Sequence, residues 1–325
     1  MTDPRRGPLV SAVVPVFNEE DGIREFYQRT TKALVAIEPP VDHELIFVDD
    51  GSQDGSVELL RELCREDERV RLVGLSRNFG HQVAITSGID HAAGDAVVVI
   101  DADLQDPPEV IAAMVERWRE GFKVVYGVRT RRAGEGAVKR TTAKAFYRLL
   151  DRLSDTPLPV DAGDFRLMDR RVVDALGQIR EENRYIRGLV SWVGFSQCAV
   201  EYERDARHAG VSKFTFRRMA RFAVDGIASF SEKPLRLSTQ LGLVTTVLTL
   251  LLAAWIVLGK LLSPGSAIPG YASLMVVILF FGGVQLLSIG LLGEYVGRVY
   301  RESKRRPLYI VADRVNFDGA DQADS

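Results

Sequence analysis

Five short, mostly β-branched apolar runs punctuate the first 130 positions: VSAVVPV ending at Val16, ELIFVDD at Asp50, VRLVGLS at Ser76, AVVVIDA at Ala102 and KVVYGVR at Arg129. Between them apolar residues recur at helical spacing, near 20–36, 55–66, 81–93 and 109–120. Strand-length runs that are continuously apolar, rather than alternating, suit a parallel sheet covered on both faces. The pattern predicts an α/β domain over residues 1–212 with a mostly parallel sheet. Sheets of that kind bind ligands beyond the carboxyl ends of their strands.

The pattern changes in the last third. No charge occurs between Arg236 and Lys260, nor between Lys260 and Glu294. Two apolar stretches, about 238–259 and 272–293, are separated by SPGSAIPG. Roughly 20 apolar residues span a bilayer, and one charge at the centre would cost about 2.5–3.5 kcal/mol. Two membrane helices are therefore expected within 237–297. Arg217, Arg218, Arg221, Lys233 and Arg236 precede them, and Arg298, Arg301, Lys304, Arg305 and Arg306 follow, against Lys260 alone in the loop. The positive-inside rule then puts both termini in the cytoplasm of a two-span membrane protein. Residues 213–236 read as an amphipathic juxtamembrane segment and 298–325 as a cytoplasmic tail. After Asn316 the tail is acidic and without periodicity, as in a disordered end. Residues 139–152 and 214–230 mix Arg and Lys with Phe, Leu and Ile, which suits either interfacial helices or ordinary core-facing ones.

The net charge of −2 conceals a basic middle, residues 129–236, against an acidic end. Cys64 and Cys198 are far apart, without metal-ligand spacing, and fit a reducing compartment. The first residues lack the apolar core of a signal peptide.

Three polar clusters fall at strand ends: Asn18-Glu19-Glu20, Asp49-Asp50-Gly51-Ser52 and Asp101-Ala102-Asp103-Leu104-Gln105-Asp106. Asn18 could cap the next helix, and Asp50-Gly51 could make a turn. Asp106, before Pro107 and Pro108, reads as a helix cap. Asp101 and Asp103 are different. Alternate carboxylates leaving an apolar strand repel one another, and a hard divalent cation relieves that repulsion. Magnesium takes one or two carboxylates and completes its shell with water and substrate phosphates. A diphosphate donor supplies such oxygens.

VVPVFNEE, FVDDGSQDGS, SRNFGHQVAI, DADLQDPPE and GDFRLMDR, in this order, resemble glycosyltransferase family 2 with its GT-A fold. The apolar hairpin and the ending LLGEYVGRVYRESKRRPLYIV narrow the resemblance to the polyprenyl-phosphate branch. That branch includes dolichol-phosphate mannose synthases and undecaprenyl-phosphate glucosyltransferases of the GtrB type. The resemblance spans residues 9–311.

It implies that Pro15, Phe17, Glu19, Val48, Asp50 and Gly80 hold the nucleotide, with Asp101, Ala102, Asp103 and Arg129 toward the diphosphate and sugar. Asp101, Asp103 and Gln105 would surround Mg2+ or Mn2+. Asp164 would be the catalytic carboxylate beside Asp103, or else an ion-pair partner of Arg166 or Arg170. His81 is either a pocket residue or a helix start. Arg204, Arg207, Ser212 and Lys213 would bind the acceptor phosphate. The implied reaction is inverting transfer of a hexose, glucose from UDP-glucose or mannose from GDP-mannose, to a polyprenyl phosphate. Membrane lipids, a homo-oligomer such as a tetramer, and no nucleic acid are the implied partners. A processive synthase is the competing reading. It would carry Q-x-x-R-W, where this chain reads ENRYIRGLVSW.

Overall fold

The five apolar runs form β1 (Leu9–Val16), β2 (Asp42–Asp49), β3 (Val70–Leu75), β4 (Ala96–Val99) and β5 (Val124–Arg129), in a computed structural model that describes residues 7–129, 162–182, 184–203, 233–262 and 270–317. Helices α1 (Ile23–Val35), α2 (Ser56–Glu66), α3 (His81–His91) and α4 (Val110–Arg119) alternate with them. β1 pairs in parallel with β2 and β4, and β2 with β3. On one face, Val10, Ala12, Val14 and Val16 pack in a cluster with Ile23, Phe26 and Leu34 of α1, Leu60 and Leu63 of α2, and Ile111 and Met114 of α4. Phe26 meets Phe47 edge-to-face at 6.2 Å. Truncating Phe26 to Ala would cost about 3–5 kcal/mol. α3 covers the other face. There Gly88 permits close approach, since a Cβ would lie 2.2 Å from Val13 Cγ1.

The flanks of the sheet depart from the parallel pattern. Residues Ala162–Asp169 form β6, antiparallel between β4 and β5. It leads into α5 (Arg170–Gln178), α6 (Ile186–Trp192) and β7 (Gln197–Tyr202), which pairs in parallel with β5. With β8 (Val311–Val315), the sheet among the described residues runs β7-β5-β6-β4-β1-β2-β3-β8. Register decides what meets at the carboxyl edge. Val16 lies opposite Asp49, which levels the ends of β1 and β2. Val99 of β4 lies opposite Arg166 of antiparallel β6. Continuing that register two residues brings Asp164 level with Asp101.

The segment expected as a tail contributes β8 (Val311–Val315), antiparallel to β3 at the sheet's edge. Asn316 Nδ2 donates to the carbonyls of Cys64 and Val70 at 2.6 and 2.8 Å. The Tyr309 hydroxyl donates to Asp90, and the Phe317 ring meets His91 at 5.5 Å and Arg71 at 5.3 Å. Polar spacing at an edge strand hid this element: Asp313 and Arg314 sit among the valines.

By contacts the chain divides into two units, Met1–Tyr147, Thr156–Thr215 and Pro307–Ser325 against Arg148–Asp155 and Phe216–Arg306. In the second, α7 (Lys233–Leu262) and α8 (Tyr271–Ser303) hold 30 and 33 residues. At 1.5 Å per residue each exceeds the roughly 30 Å of a bilayer core. Ser238 Oγ donates to Ser288 Oγ at 2.9 Å, tying the two helices. Leu248, Leu251, Trp255, Ile278, Phe280 and Ile289 are exposed. So continuous an apolar surface marks an interaction site rather than a water-facing one. Among the described residues, Phe280–Ser303 is long and apolar enough to cross a membrane, and Ser238–Leu252 is a shorter apolar stretch. The expected interfacial segments at 139–152 and 214–230 lie outside the described residues.

Candidate active site

The loop after β1 is laced to the loop after β2. Asn18, at φ 57°, donates its N–H to Ser52 Oγ at 3.0 Å and accepts from Gln53 N at 2.8 Å. Glu19 N donates to Ser56 Oγ, and Gly55 N to Glu20 Oε2. Asn18 is therefore a loop-to-loop staple and caps no helix; the residue before α1 is Gly22, with no side-chain cap. Pro15 and Val48 lie buried in the floor, and Phe17 stands 44% exposed at the rim.

Asp49 and Asp50 divide two tasks. Asp49 accepts from Gly51 N and Ser52 N and makes the turn. Asp50 turns the other way and accepts from Phe79 N at 2.7 Å and Gly80 N at 2.9 Å. Burial raises the Asp50 carboxyl, and the two backbone donors partly offset this. Gly51, at φ 75°, lets the loops touch, because a Cβ there would lie 2.8 Å from the backbone of Arg77 and Asn78. Asp50 thus shapes the loop that delivers Gly80 and the start of α3, with Arg77 stacked 4.1 Å over the Phe79 ring.

The acidic motif after β4 is short of positive charge. Asp101 Oδ1 is buried without a hydrogen-bond partner; His81 Nε2 stands 3.5 Å away, within ion-pair range only. Burial, with smaller pushes from Asp164, Asp103 and Asp106, raises the Asp101 carboxyl to about 6 against the downward pull of His81. Asp103 Oδ1 accepts from Gln105 N at 3.1 Å, and Ala102 and Gln105 are buried. Asp106 is no helix cap. Its buried carboxylate takes Arg129 Nη2 at 3.2 Å and the Tyr202 hydroxyl, while Arg129 Nε donates to that hydroxyl at 3.1 Å. Prolines 107 and 108 open the turn before α4 through their carbonyls instead. Arg129 is therefore committed on its Asp106 side, and its Nη2 lies 3.4 Å from where a Gly163 Cβ would sit.

Asp164, opposite, is richly matched. Arg187 Nε donates to Oδ1 at 2.8 Å and Arg187 Nη2 to Oδ2 at 2.9 Å. Gln82 Nε2 and His81 Nε2 reach Oδ2 at 3.3 and 3.4 Å. Burial opposes ionisation here, but the hydrogen bonds from Arg187 and His81 outweigh it and hold the carboxyl well below the usual range. For His81, burial lowers the pKa and the two carboxylates more than restore it, leaving it raised. Arg166 does not pair with Asp164 as a fork: it is buried and donates to Gly163 O at 2.8 Å. Arg170 turns away, to the carbonyls of Ala92 and Gly94. Sequence motifs missed Gln82 and Arg187. The signals were the Gln following His81 and the Arg of RYIRG, neither of which reveals its partner.

Among the described residues no group of three or more His, Cys, Asp and Glu could hold a metal by itself. Two carboxylates, one with an unpartnered buried oxygen, suit a cation that draws the rest of its shell from substrate phosphates and water. Asp101 and Asp103 fit that description, with Gln105 beside them. The acceptor residues Arg204, Arg207, Ser212 and Lys213 lie outside the described residues.

Comparison with known proteins identifies the family. Residues 11–177 match the family model described as Glycosyl transferase family 2, and residues 233–299 match the GtrB C-terminal hairpin. An uncharacterized glycosyltransferase, YkcC, of Bacillus subtilis is 52% identical over 93% of this chain and 92% of its own. The bactoprenol glucosyl transferase of Shigella phage SfV is 44% identical over 93% of this chain and 97% of its own. A prophage bactoprenol glucosyl transferase homolog of Escherichia coli is 42% identical over 93% and 98%. With its parallel sheet, its acidic edge and a hairpin of that type after it, the chain belongs to glycosyl transferase family 2 and is a glycosyltransferase.

Proposed function

We propose that the protein transfers glucose from UDP-glucose to a polyprenyl phosphate at a membrane surface, with inversion and with Mg2+ or Mn2+ at Asp101 and Asp103. The observation that carries this reading is the juxtaposition of an Asp101 just beyond β4, with an unpartnered oxygen, and an Asp164 on the adjacent strand β6, gripped by Arg187. The relatives named bactoprenol glucosyl transferase support the choice of sugar and acceptor.

A divalent cation bound there would neutralise charge gathering on the departing nucleoside diphosphate. The chain's own residues do the rest. The loops shaped by Asn18, Asp50 and Gly51 seat the nucleotide against Pro15, Phe17 and Gly80. The acceptor oxygen attacks the anomeric carbon, and the bond from that carbon to the diphosphate oxygen breaks, its electrons leaving with the nucleotide. A phosphate monoester has its second ionisation near pH 6, so this nucleophile is already an anion at neutral pH. It needs positioning more than deprotonation, and cations that let two anions approach. Arg204, Arg207 and Lys213 take that second task, Arg as a planar fork and Lys as a point charge, and the Ser212 hydroxyl adds a hydrogen-bond donor. The hairpin crosses the membrane twice with both chain ends on the cytoplasmic side, where the acceptor's head group meets the site without leaving the bilayer.

The test is a transfer assay on detergent-solubilised protein with undecaprenyl phosphate and a panel of radiolabelled UDP- and GDP-sugars, with and without EDTA. Lipid-linked glucose from UDP-glucose, lost on chelation and restored by Mg2+ or Mn2+, is the expected result. Mannose transfer from GDP-mannose alone would replace the donor, and a long polymer would replace the reaction class. No lipid-linked product from any donor would overturn the reading.

A further inference from the structure

Arg187 lies outside the motifs that marked the site, on the first turn of α6. It reaches across to β6 and grips both oxygens of Asp164, whose side chain is only 9% exposed. Paired N–H donors on a carboxylate form the strongest and most directional of ion pairs. Gln82 closes the arrangement. Its Nε2 donates to Asp164 Oδ2, and its Oε1 accepts from Ile186 N at 3.0 Å, the residue just before Arg187. One carboxylate thus joins the first turn of α3, β6 and the first turn of α6. It also stands on the sheet edge opposite Asp101, with His81 between them.

We infer that Arg187 is a positioning residue of the transfer reaction, acting through Asp164: its fork fixes that carboxylate as an ionised anchor that orients substrate and takes no proton. The inference rests on the proposed transfer and deepens it. A carboxylate whose two oxygens are both committed to a guanidinium is a poor proton acceptor. It is also held against small displacements, and misplacement by about 1 Å costs on the order of 100-fold in rate. Arg166 adds charge nearby but does not grip the carboxylate: its Nη2 donates to the Gly163 carbonyl of its own strand.

A double-mutant cycle on the full-length protein in detergent tests this, with Asp164→Asn, Arg187→Ala, Arg187→Lys and the Asp164→Asn/Arg187→Ala pair. Wild-type transfer is measured first; its absence overturns the functional reading and this inference with it. With transfer present, Arg187→Ala should lower kcat about 10–100-fold while donor KM stays within about 3-fold. Arg187→Lys should recover part of the loss. The double variant should be no slower than the slower single, because both changes break one unit. A double variant slowed by the product of the two single losses overturns the inference alone, since Arg187 would then act on substrate independently of Asp164. Unchanged kcat in Arg187→Ala overturns it too. If Arg187→Ala fails to fold, Arg187→Lys keeps the charge but loses the fork, and the same cycle is run with it.

Discussion

Asp101 and Asp164 face one another across a single sheet edge and carry opposite electrostatic fates. Asp101, two residues beyond β4, has a buried, unpartnered oxygen and a carboxyl pushed up to about 6. Asp164, the third residue of β6, has both oxygens held by Arg187 and a carboxyl pulled well down. Burial acts on both in the same direction, so partners make the difference. The contrast teaches that the Asp164 carboxylate is matched by cations of the chain itself, whereas Asp101 keeps an oxygen with no hydrogen-bond partner, as the proposed cation at Asp101 and Asp103 would require. The largest effect should come from breaking the Asp101 side. Asp103→Ala leaves Asp101 as the sole carboxylate there and should lower transfer about 100- to 1,000-fold, the cost typical of losing one electrostatic element of a transition state. Initial rates across a Mg2+ titration check this; a half-saturating Mg2+ concentration unchanged from wild type would count against the assignment.

Breaking the Asp164 side should cost less. Asp164→Asn keeps the size and one acceptor oxygen but removes the charge under Arg187. If Asp164 orients and does not take a proton, kcat should fall about 10–100-fold and stay measurable. A loss as deep as that of Asp103→Ala, with lipid phosphate as acceptor, would restore Asp164 to the role of an obligatory base.

How far this contrast could be read from sequence differs by element. β1 to β5 were legible because buried strands write continuous apolar runs, and α1, α2 and α4 because their buried positions recur at helical spacing, whereas α3 is buried over six consecutive residues. The acidic residues after β4 were legible as chemistry because like charges leaving an apolar strand demand an explanation. β6 was not read as a strand: Gly163, Asp164 and Arg166 interrupt its apolar character, and the reason they are tolerated is tertiary. β8 was hidden for a related cause, since an edge strand pairs on one side and can remain polar. Asp106 was misread as a cap because Asp-Pro-Pro fits a helix start locally, whereas Arg129 and Tyr202 claim it from the far side of the sheet. The Arg187 fork was beyond local reasoning altogether, since 23 residues separate it from Asp164.

The smallest effect sharpens the comparison most, because it concerns stability and separates the two carboxyls by sign. Unfolded, either Asp titrates near 3.9. In the fold Asp101 titrates near 6. Between about pH 4 and 6 the folded chain keeps a proton that the unfolded chain has released, so this group's contribution falls as pH rises and is flat above 6. Asp164 runs the other way: its contribution is present above about pH 4 and is lost as pH falls. In metal-free protein near pH 7.5, Asp101→Asn should therefore stabilise. The gain is of order 1 kcal/mol, discounted because the side chain is 37% exposed to screening solvent. That amounts to about 2–4 °C in Tm, and the gain should vanish near pH 4. Asp164→Asn should lower Tm at pH 7.5 and converge on wild type only on acidification. Thermal melts of both variants in EDTA at the two pH values read the signs directly, and two variants shifting in the same direction at pH 7.5 would erase the distinction between the two carboxyls.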